Sequence, residues 1–414
     1  MHMMISVRGH VIAAVTTVGL ATISLSAQDT TRPAPGWPGL WGPSRTAVTS
    51  ALPSAPRSAR HLWHRSSQGG YSELAIAGQR IITMDLRDGV DHVIALDANT
   101  GKDIWATRVG PTYRGHDSSE DGPIATPTID GADVFAVGPH GVLVALDLKT
   151  GRERWRHDLR TAFGAEMPGW GFAASPLVEG QLVIVASGGT KSPGLLAFDR
   201  TSGKLRWSAL PGLSPGYSSA VAATLAGTRQ VIVVRDRVAA VSPANGRELW
   251  SSRGLPGKEE ILNSALVLPG DRVLLTHSNE SWLVRIARRD NRLIAEEVWR
   301  SPRVRVMMSP AVYVNGSLYA FSGAQLACID PDTGETRWRE RTDNGTLAAA
   351  GTTLFLLTRA GDLIIADASP EGYRERSRTR AFSSGGSTVT GPSIADGRLY
   401  IRSTKEIAAF ALGS

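Results

Sequence analysis

The chain has 414 residues, a net charge of +7, 44 glycines, 23 prolines and a single cysteine, with 20% of its residues charged. That balance suits a turn-rich all-β protein. One cysteine excludes an internal disulfide, and no Cys-x-x-Cys-His is present to attach a c-type haem.

The first segment is predicted to be a targeting signal. Arg8 precedes the apolar run Val11–Leu25, and Ser24, Ser26 and Ala27 suit signal peptidase. Residues 1–27 are therefore expected to be removed near Ala27, and the run is short for a membrane span. No cysteine stands at the cleavage site to carry a lipid, so a periplasmic or extracellular protein is expected. An exported chain with no disulfide fits the bacterial periplasm, which permits the bond without requiring it. Residues 28–59 are rich in Pro, Ser and Ala and read as a linker. Within them, Trp37-Pro38-Gly39-Leu40-Trp41-Gly42-Pro43 carries two indoles that need a surface, for which the rim of the following domain is the expected place.

From residue 60 onward one phrase recurs. It reads ALDANTGKDIW at Ala95–Trp105, ALDLKTGRERW at Ala145–Trp155, AFDRTSGKLRW at Ala197–Trp207, AVSPANGRELW at Ala240–Trp250 and ACIDPDTGETRW at Ala327–Trp338. A weaker copy without the turn ends at Trp299. The Trp-to-Trp steps are 50, 52, 43, 49 and 39 residues. Such a period, with several short strands per unit, marks a β-propeller. Each copy reads as a third strand, a tight turn and a fourth strand. Asp97, Asp147, Asp199 and Asp330 can accept from N–H groups two residues on. The glycine four residues before each Trp can take the positive φ that closes the hairpin. The indoles of Trp63, Trp105, Trp155, Trp207, Trp250, Trp299 and Trp338 are read as structural wedges between neighbouring blades.

Runs such as Ala125-Thr126-Pro127-Thr128-Ile129, Ala174-Ser175-Pro176-Leu177-Val178 and Gly391-Pro392-Ser393-Ile394 open several units. Seven complete units end near Val109, Leu159, Leu210, Arg253, Arg300, Arg341 and Arg380, and an eighth stops after three strands. The segment around Trp63 (Arg60-His61-Leu62-Trp63-His64-Arg65) resembles an orphaned fourth strand. The expected fold is thus an eight-bladed β-propeller of four-stranded antiparallel blades over residues 60–414, closed by that N-terminal strand; seven blades with a stray hairpin is the alternative. Closure removes an exposed sheet edge.

Arg374, Arg376, Arg378 and Arg380 alternate along one segment and would share one side of a strand. They form a candidate basic surface for an acidic partner, an anionic membrane surface or a polyanionic sugar. No nucleic-acid motif accompanies them, and none is expected as partner. Cys328 sits in an apolar strand and reads as a buried free thiol.

The Asp-x-x-Thr-Gly-x-x-x-Trp repeat resembles the pyrroloquinoline-quinone (PQQ) repeat. This family includes quinoprotein alcohol dehydrogenases and the cofactor-free B subunit of the outer-membrane β-barrel assembly machinery. The resemblance implies either a quinone site or a scaffold. In the family's quinoproteins the quinone lies between a Trp and a disulfide of adjacent cysteines, with a calcium ion held by carboxylates and amides. A chain with one cysteine cannot form that disulfide, so neither PQQ nor calcium nor another metal site is predicted. The segment Trp37–Pro43 also looks like the opening of exported members, with Leu40 in place of an aromatic.

Loops entering the innermost strands gather at one mouth of a propeller's channel. Those loops offer His116, Asp121, Glu166, Trp170, Tyr217 and Asn263 as candidate ligand-binding residues. Trp170 falls outside the repeat register, so blade sealing does not explain it. Aromatic and amide groups suit a sugar or a peptide. The expected function is a non-catalytic, monomeric, exported propeller that binds a protein, peptide or other ligand in the cell envelope. A PQQ-dependent alcohol dehydrogenase and a carbohydrate-binding or carbohydrate-processing propeller are the alternatives.

Overall fold

A computed structural model describes residues 36–413, apart from 51, 53, 116–118, 254–262, 277–279, 305, 307, 308, 384 and 385. The expected leader, residues 1–27, and His116 lie outside the described residues. The regular structure among the described residues is almost all strand, arranged as eight four-stranded blades in a ring, with Val48–Thr49 adding a further short strand to one of them. Blade 1 comprises Ala75–Ala77, Arg80–Arg87, Val90–Asp97 and Asp103–Pro111. Blades 2 to 7 repeat that order, and their last strands end at Asp158, Pro211, Arg253, Ser301, Arg341 and Arg380. Blade 8 takes Ser393–Ala395, Arg398–Arg402 and Glu406–Gly413 from the C-terminal end, and its fourth strand is Ser58–Ser66. The ring is therefore eight-bladed and closed by the N-terminal strand, with Trp63 opposite Ala409.

The repeated phrase explains how blades join. Asp97 Oδ1 accepts from the N–H groups of Asn99 and Thr100 and from the Thr100 hydroxyl, which fixes the turn. Gly101 follows at φ 69°. A Cβ there would stand 2.6 Å from the Trp63 ring, so the indole of one blade lies flat on the turn glycine of the next. The indole N–H then donates to a turn carbonyl: Trp63 to Ala98, Trp105 to Leu148, Trp155 to Arg200, Trp207 to Pro243, Trp299 to Pro331 and Trp338 to Ser369, all at 2.9–3.1 Å. Each dock both buries apolar area and satisfies the one indole donor.

Trp250 is the exception. Blade 5 has lost the Asp-x-x-Thr-Gly turn and carries a longer hairpin, Ser281–Arg289 with Arg292–Ser301. With no turn carbonyl to meet, Trp250 donates to the side chain of Gln230 in its own blade. Its ring still packs into a core shared with Val273, Trp282 and Val284 of blade 5.

The seam between blades 8 and 1 has a second clasp. Arg402 is fully buried and reaches into blade 1, donating to the Gly69 carbonyl at 2.6 Å, the Thr83 hydroxyl at 2.8 Å and Asp85 Oδ1 at 3.1 Å. Both Nη groups meet acceptors, one of them a carboxylate, and that offsets much of the cost of burying the guanidinium.

Residues 36–49 do not lie on the outer rim. They form a strap across the innermost strands, where the indoles find a dry surface that only the closed ring creates. Trp37 exchanges backbone hydrogen bonds with Ile76 of blade 1, and the Pro38 carbonyl accepts from Ile129 of blade 2. Arg45 donates to the carbonyls of Ser175 and Pro176 in blade 3 and of Ala220 in blade 4. Val48–Thr49 then pairs in parallel with Ala349 and Ala350 of blade 7. Trp37 and Trp41 are both buried.

Candidate functional site

Along each innermost strand the chain runs from the mouth loop, through one polar residue, to the level of the strap. In five blades that polar place is held by Thr126, Ser175, Ser219, Ser264 and Ser309. Four successive bonds link the blades at this level. Glu73 N–H donates to Thr126 Oγ1 at 3.0 Å, Thr126 to Ser175 at 2.9 Å, Ser175 to Ser219 at 2.8 Å and Ser219 to Ser264 at 2.8 Å. The belt satisfies buried backbone donors across blade boundaries.

Blade 1 breaks the series with Glu73. Its Oε1 accepts from Gly391 N–H of blade 8 at 2.8 Å, the role a hydroxyl plays elsewhere. Its Oε2 accepts from Trp41 N–H of the strap at 3.2 Å. A Cβ at position 391 would stand 3.0 Å from Oε1, so the glycine makes room for the longer side chain. Burial pushes the Glu73 carboxyl up to about 7, and the two N–H groups offset only part of that rise.

Above the belt lies a cavity of about 380 Å³, and Leu40 and Trp41 of the strap close its inner end. Of the residues expected at the mouth, Trp170, Tyr217 and Asn263 line this cavity. The Trp170 and Tyr217 rings sit 5.5 Å apart at 41°, and Tyr217 Oη accepts from Trp170 N–H at 3.1 Å. Asn263 Nδ2 bonds the Val306 carbonyl and the Thr276 hydroxyl, holding blade 5 to blade 6. Asp121 and Glu166 do not belong to the lining. Asp121 accepts from Gly115 N–H at 2.8 Å and pairs with Arg114 at 2.5 Å, which holds its carboxyl below the usual range. Glu166 accepts twice from Thr190 at 2.7 Å, with the same effect.

Glu73, Arg359 and Tyr71 also line the cavity and were not read from the sequence as candidates; Tyr113 and the strap residue Trp41 line it too, although the six candidates did not include them. Glu73 had a signal: it is the carboxylate at a repeat position that holds a hydroxyl in five other blades.

The arginine stripe is interrupted. The fourth strand of blade 7, Glu375–Arg380, shifts register next to Arg376. That bulge turns Arg376 inward to Asp367, the Thr353 hydroxyl and the Pro56 carbonyl, while Arg374 precedes the strand. Arg378 pairs with Glu375, and Arg380 with Asp362. Three of the four charges are thus matched locally.

The cavity does not fit a quinone with its cation. PQQ carries several carboxylates, and among the described lining residues Arg359 is the one cationic side chain, opposed by the carboxyl of Glu73. Cys328 is buried in blade 6 opposite Tyr319 and Trp338, away from the lining, and burial pushes its thiol up. Among the described residues no group of three His, Cys, Asp or Glu side chains is placed to hold a metal ion. No helix among them is long and apolar enough to cross a membrane.

Comparison with known proteins agrees with the ring. The family model described as outer membrane protein assembly factor BamB matches residues 53–168, 89–340, 293–371 and 322–412. A polyvinylalcohol dehydrogenase from Pseudomonas is 26% identical over 42% of this chain and 36% of its own length, so the chain spans about a third of that relative. Among solved structures, BamB from Moraxella catarrhalis matches with a TM-score of 0.61 and 18% identity, covering 86% of this chain and 100% of that one. The quinohemoprotein alcohol dehydrogenase from Comamonas testosteroni matches with a TM-score of 0.67 and 14% identity, covering 92% and 81%. Those two likenesses establish the propeller fold. With its matches running almost continuously from residue 53 to residue 412, the chain belongs to the BamB-like family of PQQ-repeat propellers.

Proposed function

We propose that this protein is an exported, non-catalytic binding propeller of the cell envelope, working as a monomeric ring, that receives its ligand in the axial pocket. The observation that carries this reading is the strap. By crossing the innermost strands below the belt, it turns an axial channel into a blind pocket with aromatic walls. A concave, largely apolar cavity with a few placed polar groups is the usual form of a ligand site. Its volume suits a small molecule or the tip of a peptide. The envelope setting is supported by the leader-like first 27 residues and by the family's description as an outer-membrane assembly factor.

The similarity to a polyvinylalcohol dehydrogenase favours a second reading, a quinone-dependent oxidoreductase. The lining argues against it, because it offers one guanidinium and a carboxyl where a polycarboxylate would have to sit. The Trp170–Tyr217 pair also suits a sugar ring, so glycans belong among the ligands to be tried.

Thermal-shift and tryptophan-emission titrations with sets of peptides, glycans and small amines decide the matter. A ligand that raises the melting temperature of the wild type and not of Trp170→Ala is the expected result. Quinone absorbance after reconstitution with PQQ and calcium, together with dye-linked alcohol oxidation, would contradict it.

A further inference from the structure

Glu73 stands at the inner end of the pocket with both oxygens on backbone N–H groups. Among the described residues no Lys, Arg or His side chain bonds to it. The nearest cation on the strap, Arg45, directs its guanidinium to the carbonyls of blades 3 and 4 instead. A buried carboxylate without a counter-charge is costly, and a cation delivered beside it removes the cost. The side chains of Trp41, Tyr71, Tyr113, Trp170 and Tyr217 line the same cavity. A carboxyl in a pocket lined by aromatic side chains is a chemistry that recognises an organic ammonium group.

The other end of the pocket has the opposite sign. Arg359 is exposed and lines the mouth, and among the described residues no carboxylate pairs with its guanidinium. It also borders a smaller neighbouring cavity of about 120 Å³. A bare cation gains nothing from Arg359, whereas a ligand with an anionic end gains a second charge-assisted contact.

We propose that the axial pocket binds a small zwitterion within its aromatic walls, its ammonium end on Glu73 and its carboxylate end at Arg359. This assignment rests on the reading of the axial cavity as the ligand site and names the class of ligand.

Three matched probes test it with the purified full chain: 4-(trimethylammonio)butyrate, which carries both charges, tetramethylammonium and butyrate. Tryptophan emission and titration calorimetry should show the zwitterion binding at least about tenfold more tightly than either half, the ratio expected of one added charge-assisted contact. Glu73→Gln should lose that factor for the zwitterion and for tetramethylammonium. Arg359→Ala should bring the zwitterion down to the level of tetramethylammonium. Trp170→Ala, which keeps both charges, should weaken every ammonium probe and serves as the test if Glu73→Gln does not fold. Butyrate binding as tightly as the zwitterion, or zwitterion binding unchanged in both Glu73→Gln and Arg359→Ala, would overturn the assignment. If none of the three probes binds while a glycan or peptide binds in a Trp170-dependent manner, the zwitterion is wrong and the pocket reading stands. If no ligand of any set depends on Trp170, both fall.

Discussion

The outer part of the ring and its axis follow different rules. At the outer turns six indoles make one contact six times, each on the turn of the next blade. At the axis the belt of hydroxyls is interrupted by Glu73, and a strap from outside the repeats crosses it. Repetition at the periphery reflects a demand every blade shares, the sealing of one sheet against another. Departure at the axis reflects a demand made once, which sealing cannot explain. Positions that break a repeat are therefore the better guide to what the molecule binds.

The largest effect expected from this contrast comes at the seam. A chain beginning at Ser67 lacks both the closing strand and the strap. It leaves Glu406–Gly413 as an open edge. Circular dichroism melts should lose their cooperative transition, and size-exclusion chromatography should show aggregates. A monomer with an unchanged melting temperature would show that closure contributes little.

At the periphery, Trp207→Ala should cost roughly 3–5 kcal/mol in denaturant unfolding, as for other large aromatic truncations. Trp250 allows a sharper comparison because its N–H goes to a side chain. A double-mutant cycle between Trp250 and Gln230 should give a coupling of about 1 kcal/mol, against a value near zero for Trp207 with Gln230. Equal couplings would mean that the altered dock is not what Gln230 serves.

Two glycines separate backbone cost from packing cost. Gly203 (φ 69°) would place a Cβ 2.8 Å from the Trp155 ring, whereas Gly180 (φ 58°) has open space around it. Gly180→Ala should cost about 1 kcal/mol for its backbone alone. Gly203→Ala should cost about 2–3 kcal/mol, because the indole must also shift. Similar losses at the two sites would remove the wedge argument.

Two buried carboxyls make stability depend on pH in an unusual direction. Glu73 is one. Asp91 in blade 1 is the other, pushed up to about 7 by burial and then by the nearby Asp85 and Asp121. Both native values lie above the unfolded ones, so between about pH 4 and 7 the native state holds protons that the unfolded chain releases. The contribution of these groups to stability is therefore full below about pH 4 and falls as pH rises to about 7, then levels off. Asp91→Asn should raise the melting temperature at pH 8 and change it little at pH 4. An equal change at the two pH values would place the native Asp91 carboxyl in its ordinary range.

Much of the ring was legible in the sequence because its determinants are local and repeated. The turn Asp, the turn Gly and the Trp lie within one short phrase, so blade boundaries and the closing role of the strand around Trp63 could be read directly. The strap could not, because its surface exists only once eight innermost strands surround one axis. The mouth was half legible. Trp170, Tyr217 and Asn263 meet because they enter successive blades at the same level. Asp121 and Glu166 sit in the same kind of loop, yet nearby N–H groups, a hydroxyl and Arg114 hold their carboxylates outside the lining. Such short-range competition leaves no mark in the repeat pattern. The arginine stripe was misleading for a related reason, since one bulged residue turns Arg376 out of the alternation.

The claim that the axis is organised around a buried carboxyl without a counter-charge is tested most directly at Glu73 itself. Infrared difference spectra of the wild type minus Glu73→Gln, recorded across pH, isolate its carboxyl stretch. The account predicts a protonated carboxyl that titrates at about 7, and a shift of that titration to lower pH when 4-(trimethylammonio)butyrate is added. A carboxylate already ionised at pH 5 and indifferent to the probe would contradict it.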